Sequence, residues 1–563
     1  MAHPSTQRVF LLALSLTLTA STLPFVSSAA LADDDGGAAA PGIARISAIE
    51  GDVAIKHSAD GDGVAAIANA PVEAGDYLSA GSDGRAEVEL DGRDVLRADS
   101  GAQLRFTQLD GSSDVAQLAA GTVELRAFDG YQDHVTVQTP SVDISPDEAG
   151  AYVITVEQNG NTDVTARSGS VTVGTPQGSQ QLQPGRTMEI AGNANDPQYQ
   201  YVAAIASDSF EGWNDDRDRE VLQVASLAPY ENVNNDMVGA DDLAQDGRWI
   251  NTPDYGEVWQ PSDVAANWTP YSSGSWAYEP YYGYTWVATE PWGWAPYHYG
   301  RWFFQPGLGW AWAPGPRVVR PVWSPALVTF FGFGGGGLSL GFGNIGWVPL
   351  APGEVVHRWW GPGNTIVYNN TIIINHYRNY NRGIVAMPVN NWQRGDFGHI
   401  VHLQSSEVRD VRAIAGRIPL APTRENYRFA PHETRVTIAQ TNYQRFKSRT
   451  ITRAPMQPAR STTWQRFGSA PARANAPLVA RHSDTPTQST WQRFNNTNIT
   501  RPQRSFEPST YARQQPAYAR QQPAYARQQP VNRHSEPVAR QAPREHQPAA
   551  HQTSRPRKHG VMR

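Results

Sequence analysis

The chain has no cysteine. That absence excludes disulfides, thiolate metal ligands and a lipid-modified N-terminal cysteine, so an exported protein of this sequence must be held by packing and backbone pairing alone. Charge is sparse as well, with Asp, Glu, Lys and Arg making up 18% of 563 residues. Past the N-terminal region no apolar run reaches the roughly 18 to 20 residues that a membrane-spanning helix needs. Known catalytic frames are missing too. The glycine stretch Gly334–Gly337 lacks the Lys-Ser/Thr of a phosphate loop, and Glu354 and His357 lie outside any HExxH frame. The acids Asp254, Glu257, Glu279 and Glu290 show no spacing that singles out a catalytic pair. The chain therefore reads as a non-enzyme, with no cofactor and no metal site.

What is present in quantity is glycine (49), proline (42) and tryptophan (18). This mixture predicts turn-rich β structure with disordered stretches. Charge is unevenly placed: residues 461–563 hold 16 basic and 4 acidic side chains, against 31 and 49 elsewhere. An acidic body carries a basic tail. At the N-terminus, Arg8, an apolar stretch from Val9 and the small-x-small sequence Ala30-Leu31-Ala32 predict a signal peptide over 1–32 and a periplasmic or secreted location.

Between 42 and 191, short segments such as "GRAEVEL", "GTVELRAF" and "AYVITVE" alternate with period two and are punctuated by Gly and Asp turns. They predict an antiparallel β sandwich or roll. The pieces "ISAIEGDVAI", "APVEAGDYLSAGSDGRAEVEL" and "VTARSGSVTVGTPQGSQQLQPGRTMEI" make the segment resemble the periplasmic FecR-type domain, with Gly75-Asp76, Gly84-Arg85 and Pro184-Gly185 where that family turns. The resemblance covers about 150 residues and implies an extracytoplasmic β module that binds partners. Signalling members add a cytoplasmic helix and a membrane span, and this chain has a signal peptide in their place. A helical connector is expected over 196–225, on the spacing of Tyr199, Val202, Ile205 and Phe210, with Arg217 and Arg219 solvated or paired with nearby acids.

An internal repeat follows. "GRWINTPDYGEVWQP" from Gly247, "GSWAYEPYYGYTWVA" from Gly274 and "GRWFFQPGLGWAWAP" from Gly300 align without gaps. Their common frame, G-x-W-x-x-x-P-x-x-G-x-x-W, places Trp249 and Trp259, Trp276 and Trp286, and Trp302 and Trp312 in equivalent positions. Gly and Pro exclude a helix, so each unit reads as a β-hairpin around its Pro-x-x-Gly turn. Three units would give a twisted sheet of about six strands. Fourteen tryptophans fall between 249 and 360, where aliphatics are few. Two roles stay open for them. They supply the core, or Trp276, Trp286, Trp292, Trp294, Trp302, Trp310 and Trp312 form a surface for peptidoglycan, an exopolysaccharide or a protein. Nucleic acid is excluded as a partner by the scattered Arg residues and by export. The repeat, continued through "PVWSPALVTFFG", "IGWVPLAPGE" and "RGIVAMPVNNWQRGDF", resembles a bacterial domain of unknown function over about 240–400, which brings architecture and no activity.

Beyond it, a weakly ordered linker is expected over 401–460 and a disordered basic Arg/Gln/Pro-rich tail over 461–563. The tail contains "YARQQP" units, and "YQRF" at 443–446 recurs as "WQRF" at 464–467 and 491–494. Such a tail suits weak multivalent contact with anionic surfaces. The expected architecture is mainly β throughout, with a short helix after the first module, and the expected role is a non-enzymatic envelope scaffold binding an envelope protein or a cell-wall polymer. Oligomeric state is not legible.

Overall fold

The computed structural model describes residues 42–468, apart from 58–61, 91–93, 129–134, 226–232, 234–236, 318–320, 336–340, 362–363, 369–373, 435, 439 and 448–463. The expected signal peptide and most of the basic tail lie outside the described residues. The chain divides after Pro477, and everything below concerns the first unit. Among the described residues no helix is long and apolar enough to cross a membrane.

The fold is mainly β. Residues 43–203 form two sheets that share one strand, Asp114–Ala127. Its first half pairs with Gln103–Gln108 in one sheet. Its second half pairs with Asp94–Ala98 and Gly150–Val156 in the other. The crossover falls at Gly121, where φ is +85° and a Cβ would lie 2.5 Å from the Ala102 Cα, so only glycine turns the strand there. Pairing is antiparallel except where Val135–Gln138 runs parallel to the start of the shared strand. Alternate residues point inward, as in Tyr152, Ile154 and Val156, and meet Leu78, Val88, Leu104 and Leu125 in a continuous core.

The expected helix over 196–225 begins late. Gln198–Ala203 is a strand, registered along Arg186–Ala191 over six residue pairs. Tyr199 and Val202 are three apart, as on a helix face, but Tyr199 and Tyr201 alternate as on a strand, and the unpaired sheet edge after the Asn193–Asp196 turn decides in favour of the strand. The helix is Ser209–Ala225, and Asp208 accepts the backbone N–H groups of Phe210 and Glu211 at its start. It is held by a buried charge network. Arg97 lies 2.8 Å from Glu87, 3.0 Å from Glu124 and 2.7 Å from Asp218, and Arg217 reaches Glu87 at 2.7 Å. Burial works to raise the Glu87 pKa, but Arg97 and Arg217 outweigh it and hold the carboxyl down to about 2.

Each repeat is a hairpin, and its two frame tryptophans are cross-strand partners: Trp249 with Trp259, Trp276 with Trp286, Trp302 with Trp312. The hairpins do not make one six-stranded sheet. The first and third join edge to edge into four strands through Trp259 and Trp312, while the second stands apart as a two-stranded sheet. The reason lies in its two faces. Trp276, Tyr284 and Trp286 enter the aromatic core, and Ala277 and Val287 enter the core of the N-terminal sheets. The second hairpin is thus a shared layer, and a sheet neighbour on both edges is not needed to bury it.

A six-stranded antiparallel sheet completes the unit: Ile366–Tyr368, Arg412–Gly416, Val328–Phe333, Asn344–Pro349, Ile384–Pro388 and Val401–Leu403. Gly334 and Gly335 follow the third of these strands, and the rest of the glycine stretch lies outside the described residues. The expected linker over 401–460 therefore contains two sheet strands and a helix, Gln440–Lys447. The expected disordered tail begins too early at 461, because Gln465–Arg466 is a strand.

Candidate functional site

The seven tryptophans proposed as a binding surface are all buried, from 0% exposure at Trp276, Trp286, Trp294 and Trp312 to 8% at Trp310. Trp276 is the hub. Its ring meets Trp286 at 5.2 Å, Trp347 at 5.6 Å and Trp392 at 5.7 Å, and Phe330 packs against it at 4.9 Å. Several indoles bond to backbone: Trp302 Nε1 donates to Pro296 O, Trp347 to Tyr271 O and Trp359 to Tyr284 O, each at 2.8 to 3.0 Å. Trp292 and Trp294 flank and open the short helix Trp294–His298 rather than sharing an extended strand. Trp310 and Trp312 do lie on a strand, with Trp310 against Phe304.

The acids weighed for catalysis separate, and the nearby His298 joins none of them. Glu290 Oε1 accepts from Trp268 Nε1 at 3.0 Å and Tyr297 Oη at 3.1 Å, an internal brace whose carboxyl pKa burial raises. His298 Nδ1 lies 2.8 Å from Ser324 O, and burial pushes its pKa down to about 3, which makes it a neutral core residue. Glu354 accepts the backbone N–H groups of Ala351 and Arg378, both at 2.7 Å. Asp254 and Glu257 lie at the turn end of the first hairpin, away from these.

Glu279 is different. On the inward face of the second hairpin it meets His57 and Asp76 of the N-terminal sheets, with Glu73 beside them. His57 Nδ1 lies 3.2 Å from Asp76 Oδ1 and 3.5 Å from Glu279 Oε2. Burial pushes Glu279 well above the usual carboxylate range and Glu73 up to about 7. Burial alone would lower His57, but Glu279 and Asp76 outweigh it and raise the imidazole to about 10. No spacing in the sequence announces this group. The one hint is that Glu279 occupies a repeat position filled by Thr252 and Gln305 in the other units.

Two C-terminal segments dock on the N-terminal sheets. Gln465–Arg466 adds a strand to the edge at Gln198 and Tyr199. Tyr199 Oη donates to Gln465 Oε1 at 3.0 Å, and Phe467 packs on the Tyr199 ring at 4.6 Å. The helix Gln440–Lys447 seats Phe446 and Tyr443 against Tyr77 at 5.3 and 5.5 Å. Asn442 Nδ2 donates to Gln103 Oε1, and Arg445 donates to the carbonyls of Ala119 and Gln158. The repeated aromatic-Gln-Arg-Phe motif is the sequence signal for both contacts. One copy is helical and one extended, and in both the Phe is the buried anchor.

No curated protein matches the chain. Two crystal structures of a provisionally assigned anti-sigma factor from Parabacteroides distasonis ATCC 8503 are similar to it at 15% sequence identity. The first match covers 27% of this chain and 65% of the other, with a TM-score of 0.20. The second covers 33% of this chain and 99% of the other, with a TM-score of 0.21. Residues 240–354, which contain the three aromatic hairpins, match the model of DUF6600, a family of unknown function.

Proposed function

We propose that the chain is a non-enzymatic protein of the bacterial envelope, exported by its signal peptide, that binds protein partners through the N-terminal FecR-type β unit and the basic tail. The aromatic repeat serves as its internal framework. The observation that carries this reading is the burial of all seven candidate tryptophans, which leaves none of them as an open stacking platform. The docked C-terminal segments support it: the N-terminal sheets accept an extended peptide at one edge and a helix at Tyr77, both using a Phe anchor.

The test is photo-crosslinking in cells with a reactive amino acid at Tyr201 or at Tyr518, paired with sedimentation of the purified chain with peptidoglycan. Discrete protein adducts, with the chain left in the supernatant, are expected. Co-sedimentation with peptidoglycan in the absence of protein adducts would replace this reading with glycan binding.

A further inference from the structure

We propose that His57, Asp76 and Glu279 form a binding site for one divalent transition-metal ion, with zinc the best fit, at the junction of the second aromatic hairpin and the N-terminal sheets. One ligand atom from each of the three residues lies within 4.8 Å of the others. Tetrahedral coordination with bonds of about 2.0 to 2.2 Å puts ligand atoms roughly 3.3 to 3.6 Å apart. The two distances from His57 Nδ1, 3.2 and 3.5 Å, are of that size.

His57 faces Asp76 and Glu279 as an ionic partner, yet hydrogen bonds are missing around the group. Glu279 is 0% exposed, and among the described residues neither of its carboxylate oxygens accepts a hydrogen bond. His57 Nε2 is likewise buried without one. Buried carboxylates in native proteins are hydrogen-bonded, paired with a cation or bound to metal. A proton on His57 Nδ1 would satisfy Asp76 at 3.2 Å and leave Glu279 still without a donor. A dication meets all three residues at once and offsets the excess of carboxylate charge. An imidazole with carboxylates suits zinc and its neighbours better than calcium or magnesium, which favour all-oxygen shells.

The surroundings aim the ligands. Asp76 Oδ2 accepts the Glu73 backbone N–H at 2.8 Å, which turns Oδ1 toward the group. Glu73 Oε2 accepts the Tyr281 N–H at 3.3 Å, tying the hairpin turn to the same wall. The His57 ring is covered edge-on by Phe429 at 5.8 Å. Since Glu279 comes from the hairpin and the other two from the N-terminal sheets, the ion would clamp the two together.

The experiment uses the full mature chain, stripped with EDTA and desalted. Melting temperature is followed as ZnCl₂ is added, with MgCl₂ as the control, and retained zinc is measured after gel filtration. E279Q, D76N and H57Q are treated alike, which separates this site from zinc held by histidines elsewhere. The expected result is a zinc-dependent rise in melting temperature and about one more retained ion per chain than in each variant. In EDTA, E279Q should melt at or above the unmodified chain, which shows that it folds. The same retained zinc and the same response in the unmodified chain and the variants would overturn the proposal. So would absence of any zinc response in the unmodified chain, whatever the variants do.

Discussion

Trp259 and Trp312 are registered partners across the seam between the first and third hairpins, and each indole N–H reaches a backbone carbonyl outside its own hairpin. Trp259 donates to Leu243 and Trp312 to Tyr299, both at 2.8 Å. These tryptophans fill space and also donate to backbone at the helix Leu243–Asp246 and at the end of the helix Trp294–His298. Glycine makes the close approach feasible: a Cβ at Gly300 would lie 2.6 Å from Trp312 Nε1.

Two substitutions separate these roles. W312F keeps an aromatic ring and removes the indole N–H bond to the Tyr299 carbonyl, at a cost of about 0.5 to 1.5 kcal/mol for the hydrogen bond in addition to lost packing. Trp276 Nε1 has no acceptor among the described residues. W276F therefore loses packing alone and should be the milder change, while W276A at the hub should cost about 3 to 5 kcal/mol. Urea unfolding of the two Phe variants checks the order.

Gly121 is the point where one strand serves two sheets. G121A forces a Cβ against the Ala102 backbone in a left-handed conformation, so it should destabilise by well over the ~1 kcal/mol of an ordinary glycine exchange. A large drop in the denaturation midpoint is expected. A neutral result would mean the crossover can be reached without a left-handed residue.

The Arg97 network sets a pH dependence. Glu87 is held down to about 2, below its ordinary 4.5, so its contribution is complete above about pH 4.5 and is lost as pH falls toward 2. Protection factors of the amides in Ser209–Ala225, corrected for the slower intrinsic exchange in acid, should fall over that window. In E87Q this acid-dependent part should vanish. R97A, which removes the cation shared by Glu87, Glu124 and Asp218, should cost about 3 to 5 kcal/mol at neutral pH.

Phe467 anchors the added strand. F467A should release it without unfolding the sheets beneath. Exchange at Tyr199–Tyr201 would rise by tenfold or more if at least about 1.4 kcal/mol of docking is lost. Unchanged exchange would mean that the two backbone-paired residues hold the strand unaided.

Much of the fold was legible because it is written in short-range pattern. Period-two alternation marked the N-terminal sheets, and the G-x-W frame marked three hairpins whose frame tryptophans are cross-strand partners. The frame is silent on which hairpin joins which, since the three units share the same edge chemistry; the choice is made by the small face of the second that carries Ala277 and Val287, which packs against sheets distant in sequence. The segment 198–203 carries both periods, Tyr199 with Val202 for a helix and Tyr199 with Tyr201 for a strand, and only a neighbouring sheet edge distinguishes them. The docked motifs at 443–446 and 464–467 were visible as repeats, but polar composition around them hid that each Phe has a pocket. The His57 group was invisible, since its members come from positions 57, 76 and 279 and no spacing rule connects them.

The central claim is that the tryptophans are framework. Acrylamide quenching of intrinsic fluorescence, with and without purified peptidoglycan, tests it on the mature chain carrying W464F and W491F to silence the C-terminal motifs. Weak quenching that peptidoglycan leaves unchanged is the predicted result. Strong quenching relieved by peptidoglycan would contradict the account and return the repeat to the role of a glycan-binding surface.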